Sequence, residues 1–235
     1  MTKNTRRAQR GEPALTRESI IDAAIALLDS AGESGLTFRA LATALSTGAG
    51  AIYFHVANKD DLANAACDAV VARAMAMAAT LTTTTPQGRL RAIGLGLFDA
   101  IDAHPWVGAE LARAPGSMPM VRILEGIGQQ VQAMAMEERA LWSATSTLFS
   151  YIVGVAGQNA ANARIGRERA LDRSTFLEAL ATQWSQLDAG AYPFTRSMAM
   201  QLRDHDDRAD FVAGLDLILD GIAQESGKSG VRTRT

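Results

Sequence analysis

The sequence predicts an all-α fold in two helical parts, and three observations carry that prediction. Hydrophobic residues make up 48% of the 235, with Ala abundant and only six Pro, a composition that favours helices over sheet or disorder. Apolar residues recur at spacings of three and four along most of the chain, with no alternating strand pattern and no internal repeat. Each periodic stretch is bounded by Gly, Pro, Thr or Asn in capping and breaking positions. A chain of this length can bury a sizeable core, as one large domain or two modest ones.

The elements follow in order. Thr16 caps a first helix, with Leu15 placed to staple onto Ile20, and Ile20, Ala24, Leu27, Leu28 and Ala31 forming its apolar face. Gly32 and Gly35 stop it. Thr37 caps a two-turn helix that buries Phe38, Leu41, Ala42 and Leu45, and Ser46-Thr47 makes a turn. A second short helix spans about 48–55 with Ile52 facing inward. Asn58, with Asp61 three residues later, caps a long helix towards Leu81. Thr82 to Pro86 is a break, followed by a helix to about His104 and a short one from Pro105 to Arg113. Pro115-Gly116 and Pro119 mark a loop. Further helices are expected near 118–135, 138–165, 174–188, 194–203 and 208–224.

Helix, tight turn and second short helix over residues 36–62 is the arrangement that lets a chain press one helix into a DNA major groove. The net charge of −2 makes the whole molecule no general polyanion binder, so distribution matters more than total. Lys3, Arg6, Arg7 and Arg10 open the chain with no acid among them, either a solvated tail or a basic arm for backbone or minor groove. The single Cys67 forms no intramolecular disulfide, no apolar run is expected to reach a membrane span, and no signal-peptide core follows the charged start. A cytoplasmic protein with no membrane partner is expected.

The caps, the run Gly35-Leu36-Thr37, the Leu41-Ala42 pair, the turn and Ile52-Tyr53-Phe54-His55-Val56-Ala57-Asn58-Lys59 together resemble the tetracycline-repressor (TetR/AcrR) family over about residues 15–65. His104-Pro105-Trp106 and Phe211-x-x-Gly214-Leu215-Asp216 resemble the later part of many members. The turn departs from the family pattern of Gly then an apolar residue; Ser46 is expected to cost little, and Thr47 to need a hydrogen bond if buried.

The resemblance implies a basic arm at 1–14, disordered; a helix-turn-helix DNA-binding domain at 15–60; a helical effector-binding and dimerisation domain at 61–226; and a disordered tail at 227–235. It places Thr37, Arg39, Tyr53, His55 and Lys59 at sugar-phosphate contacts, with helix-start N–H groups near Thr37, Gly48 and Lys59 suited to phosphate oxygens. Base edges would face Ala49, Gly50 and Ala51, with Phe54 nearby. None of these makes the bidentate hydrogen bonds that read guanine or adenine, so modest readout through thymine methyls, Arg39, the arm and DNA shape is expected.

The same resemblance implies a homodimer, since one short helix contacts too few base pairs, bound to a palindromic double-stranded DNA operator. Tyr151, Gly154 and Gly157 on one long helix and Phe211, Leu215, Ile218 and Ile222 on the last are the expected dimer face. Phe98, Ile101, His104, Trp106, Met118, Met120, Trp142, Thr145 and Phe149 are the expected wall of a pocket for a small, mostly apolar effector, with Asn159 and Asn162 as further polar contacts. The function implied is a ligand-responsive transcriptional regulator, a repressor released by its effector, with no cofactor. Catalysis is not expected: His55, His104, His205 and Cys67 show no metal-ligand spacing, and no P-loop, H-E-x-x-H or G-x-S-x-G appears. The other open reading is a helical ligand- or protein-binding module whose DNA binding is weak or lost.

Overall fold

The computed structural model describes residues 15–82, 85–113, 115–168 and 172–232, the last five of these and 167–168 as backbone only. The arm at 1–14 lies outside the described residues. All regular structure among the described residues is helical: α1 (Arg17–Gly35), α2 (Phe38–Ala44), α3 (Ala49–Tyr53), α4 (Lys59–Thr80), α5 (Pro86–Ala103), α6 (Trp106–Arg113), α7 (Met118–Ala133), α8 (Glu138–Glu168), α9 (Arg173–Ser185), α10 (Pro193–Met198), a 3-10 turn (Gln201–Asp204) and α11 (Asp207–Arg232). The chain divides into two compact units between Ala66 and Cys67, six residues beyond the expected border.

In the first unit the capping residues do the local work. Thr16 and Ser19 exchange backbone and side-chain hydrogen bonds at 3.1 Å each, a capping box built on Ser rather than Glu. The Thr37 hydroxyl accepts the Ala40 N–H, and the Asn58 side-chain oxygen Oδ1 accepts the Asp61 N–H. Gly32, at φ +64°, breaks α1 before a last turn reaches Gly35. Ile20, Ala24, Leu36, Leu41 and Ile52 are fully buried.

The turn after α2 closes in a Schellman motif, with Thr47 N–H donating to the Ala42 carbonyl and Ser46 N–H to that of Thr43. Ser46 occupies the left-handed position of that motif, at φ +51°, where glycine carries no Cβ penalty. The substitution is therefore not free, contrary to the sequence expectation. Ser46→Gly is expected to raise the stability of this unit by about 0.5–1 kcal/mol, read as an upward shift in the urea midpoint with unchanged m-value. Lower stability would refute the assignment of strain to this turn.

The second unit is built around α8, which packs against α5, α6, α7 and α11. Its core gathers Leu90, Leu97 and Ile101 from α5, Ile123 and Ile127 from α7, Leu148 and Ile152 from α8, and Phe211, Leu215 and Leu219 from α11. Three polar links step along the α5–α11 seam in opposite chain directions: Gln87 to Asp220, Arg91 to Asp216 and Arg208 to Asp99. The two helices thus run antiparallel. Arg122 reaches from α7 to Asp68 with two 2.9 Å bonds.

Gly94 and Gly96 are packing devices. A Cβ on Gly94 would meet Leu215 Cδ2 at 2.7 Å, and one on Gly96 the Ala74 carbonyl oxygen at 3.3 Å. At Gly108 a Cβ would lie 3.0 Å from Gly157 Cα, so α6 and α8 touch backbone to backbone.

Two expectations need correction. The last helix continues to Arg232, past Gly227, so the expected tail is largely helical. α4 and residues 138–166 are also long and apolar enough to cross a membrane by length and composition, although no such run was expected. Only 44% and 28% of their apolar windows are buried within the chain. α4 and α8 are Ala-rich helices of a helical core, and core helices of that composition pass the same test.

Cys67 is fully buried, and its thiol is pushed up to about 12 by burial first, then by the nearby Glu110 and Asp68 carboxylates. At pH 8 so little thiolate remains that labelling by a disulfide reagent is expected to run roughly a thousandfold slower than for a free cysteine. It should accelerate only as denaturant unfolds this unit; rapid labelling in native buffer would contradict the burial.

Candidate DNA interface and ligand cavity

α3 has five residues, and one of them anchors it: Ile52 is fully buried, while Ala49 and Gly50 are exposed and Ala51 half-buried. Tyr53 is 56% exposed and lies flat on Phe38, ring centroids 4.3 Å apart, so its hydroxyl end faces outward from a fixed ring. Phe54 is 90% exposed, the highest value among the exposed large apolar side chains. Thr37, Arg39 and Gly48 are also exposed, and His55 is half-buried. The predicted contact residues from Gly48 to His55 thus belong to one short helix and its flanks.

Lys59 has a structural task that sequence reasoning missed. Its ammonium donates to the Glu33 carbonyl at 2.8 Å, tying the start of α4 to the end of α1. The local signal for this, a cation near an open helix C-terminus, is invisible without the fold. Arg17, Arg39 and Lys59 are the only cations from 15 to 66, against Glu18, Asp22, Asp29, Glu33, Asp60 and Asp61.

The nine predicted pocket residues differ in burial. Phe98, Ile101 and Thr145 are buried, His104, Trp106, Met120 and Phe149 half-buried, and Met118 and Trp142 are 58% and 67% exposed. Phe98 alone borders either of two clefts found elsewhere in the second unit. One, of about 300 Å³, lies between the end of α8, α9 and the entry to α11, and includes Asn159 and Asn162. The other adjoins it at the α5–α9–α11 corner, holds about 700 Å³, and is rimmed by Asp99, Asp102, Arg203 and Arg208.

The predicted dimer residues also separate. Phe211 and Leu215 are fully buried and Ile222 nearly so, all against their own chain, and they offer no surface to a second copy. Their apolar spacing reports burial correctly, but the face they cover is the core. Tyr151 donates its hydroxyl to the Phe211 carbonyl at 2.9 Å and stacks on that ring. Burial, and then the Asp210 carboxylate, raise the Tyr151 pKa above the ordinary phenol value. Gly157 is half-buried against Gly108, Ile218 is half-buried, and Gly154 is exposed with nothing near it. Leu217, 75% exposed on the outer side of α11, was not predicted.

A helix held by one buried Ile and presenting its other side chains outward is shaped to enter a groove rather than to fill a core. With the helix that precedes it, this defines a helix-turn-helix DNA-binding regulator carrying a large helical second domain.

Comparison with known proteins supplies the family. Residues 20–66 match the model for bacterial regulatory proteins of the tetR family, and residues 81–226 match the tetracyclin repressor-like C-terminal domain. The chain belongs to the TetR family, whose members are DNA-binding transcriptional repressors with a ligand-binding C-terminal domain and are not enzymes. It is 48% identical to the transcriptional regulator SCO7222, a TetR from Streptomyces coelicolor, with 90% of this chain and 99% of that one covered and a TM-score of 0.80. The HTH-type transcriptional repressor DrrR1 of Streptomyces coeruleorubidus is 28% identical over 95% of this chain and 85% of that protein. ActR of Streptomyces coelicolor, solved in complex with actinorhodin, is 22% identical and shares the fold at a TM-score of 0.73, covering 93% of this chain and all of that one.

Proposed function

We propose that this protein is a homodimeric, cytoplasmic repressor that binds a palindromic operator and is released from it by a small, mostly apolar effector. The observation that carries the reading is the outward face of α3, where Tyr53 is held by stacking and Phe54 stands almost wholly in solvent. An aromatic so exposed beside Ala49, Gly50 and Ala51 suits thymine methyls and a close backbone approach. Tyr53, His55, Thr37 and Arg39 take the sugar-phosphate contacts, and Lys59 supports them by fixing the start of α4.

Because the acids of residues 15–66 outnumber the cations, the basic arm supplies most of the phosphate-neutralising charge. Dimerisation is supported by the outer sides of α8 and α11, where Gly154, Leu217 and Gly221 are free of contacts that would block close approach. An effector that binds one spacing of the two reading heads better than the other shifts the population away from the DNA-competent form.

Selection from random duplex DNA, followed by affinity measurements against salt, tests this. A palindrome with half-sites about one helical turn apart and a steep salt slope is expected. A chain lacking residues 1–10 should lose more than half of that slope, and a Tyr53→Ala/Phe54→Ala variant should bind at least ~100-fold more weakly, the combined loss of two well-formed contacts. No enriched motif, or undiminished binding by the double variant, would favour a ligand- or protein-binding module without operator recognition.

A further inference from the structure

We propose that the cleft between the end of α8, α9 and the entry to α11 is a binding site for an uncharged, mostly apolar bicyclic molecule carrying a carbonyl-type acceptor that bonds to Asn159. Its effect on repression rests on the ligand-responsive reading above; the binding does not.

The shape and chemistry of the cleft lead to this ligand. Its volume, about 300 Å³, sits at the lower end of the range for small-molecule pockets. Phe176, Leu177, Leu180 and Leu202 make its floor apolar. The charged groups at its rim already serve one another. Arg173 donates to the Asp207 carboxylate and, at 2.7 Å, to the His205 carbonyl, while the His205 ring nitrogens sit 2.9 Å from Asp207 and 2.7 Å from Asp210. A charged ligand would have to break these pairs to find a counter-ion, so an uncharged one is favoured.

One residue lining the cleft holds a polar atom with no such partner. Asn159 Nδ2 is closed off from solvent and donates to no protein acceptor. An amide N–H buried without an acceptor is a standing penalty, relieved when the Asn159 amide turns into the cleft to meet an arriving carbonyl oxygen. Asn159 therefore selects ligands that bring an acceptor over equally apolar ones that do not.

The full-length chain, with methyl-labelled leucines, should be titrated with 1-tetralone and with tetralin, which has the same two rings without the carbonyl oxygen. The methyl signals of Leu177, Leu180 and Leu202 are expected to move, with 1-tetralone bound about tenfold more tightly, the worth of one hydrogen bond. Asn159→Leu should bring that ratio close to one, and Leu180→Trp, which fills the cleft, should abolish binding of both. Unmoved methyls, an unchanged ratio in Asn159→Leu, or binding that survives Leu180→Trp would each overturn the site. If Asn159→Leu fails to fold, Leu180→Trp and the methyl shifts decide. No DNA enters this measurement, so failure here leaves the operator reading standing, and failure of operator selection leaves this site standing.

Discussion

Phe211→Ala is expected to destabilise the second unit by about 4 kcal/mol, in the range for removing a fully buried aromatic, and to lower its melting temperature by roughly 12 °C. The ring has no exposed surface and stacks on two others, Phe98 at 4.5 Å and Tyr151 at 5.5 Å between centroids. Its removal opens a cavity and also strips the partner from each neighbouring ring. Phe211→Leu keeps most of the volume and should lose about half as much, because the stacking goes while burial stays. Thermal unfolding of both variants at fixed protein concentration checks the order. A loss below about 1 kcal/mol for Phe211→Ala would contradict the burial of the ring in the core.

That reversal shows what a sequence can tell of such a face. The stripe Phe211, Leu215, Ile218 and Ile222 is legible because helical periodicity reports that one side is covered. It does not report by what, and α5 and α8 supply the cover for all but Ile218. Caps were legible for a better reason: Thr16, Thr37 and Asn58 act on N–H groups three residues away, so sequence neighbours settle the geometry. The same locality made Ile52 and the α2–α3 turn readable, although the left-handed backbone at Ser46 emerged only with coordinates.

The cleft was least legible, since its lining residues, from Asn159 to Asp207, span more than forty positions. Asn159 and Asn162 drew notice as polar groups on an apolar helix, whereas His205 looked like an isolated histidine until Arg173, Asp207 and Asp210 surrounded it. The end of α11 failed in the opposite direction. Gly227 and Gly230 are stop signals by propensity, yet the backbone remains helical through both. The proposed DNA face stands between these cases. Ala49 to His55 are neighbours because they share one short helix and its flank, but the employment of Lys59 depended on Glu33, twenty-six positions earlier.

Two glycines meet the same obstacle at the same distance, and substitution should separate them. A Cβ at Gly214 would lie 2.1 Å from the Tyr151 hydroxyl, and a Cβ at Gly126 would lie 2.1 Å from Met75 Cε. Met75 Cε is the end of an unbranched chain with three rotatable bonds, and the next atom of that side chain is 3.8 Å away. It swings aside, so Gly126→Ala should change stability by less than about 0.5 kcal/mol, the gain in helix propensity offsetting the repacking. Tyr151 has no such freedom. Its next ring atoms lie 2.7 and 3.1 Å from the added Cβ, and its hydroxyl is committed to the Phe211 carbonyl. The whole ring has to move, with loss of that hydrogen bond and of the stack on Phe211, so Gly214→Ala should destabilise by about 3 kcal/mol. Adding Tyr151→Phe removes the closest contact but leaves the ring, and should recover about 1 kcal/mol of coupling in a double-mutant cycle. Urea unfolding of these three variants and of Tyr151→Phe alone measures all these terms. Equal effects at the two glycines would mean that the rigidity of the neighbour does not decide the cost, and the tight seam between α8 and α11 would lose its explanation.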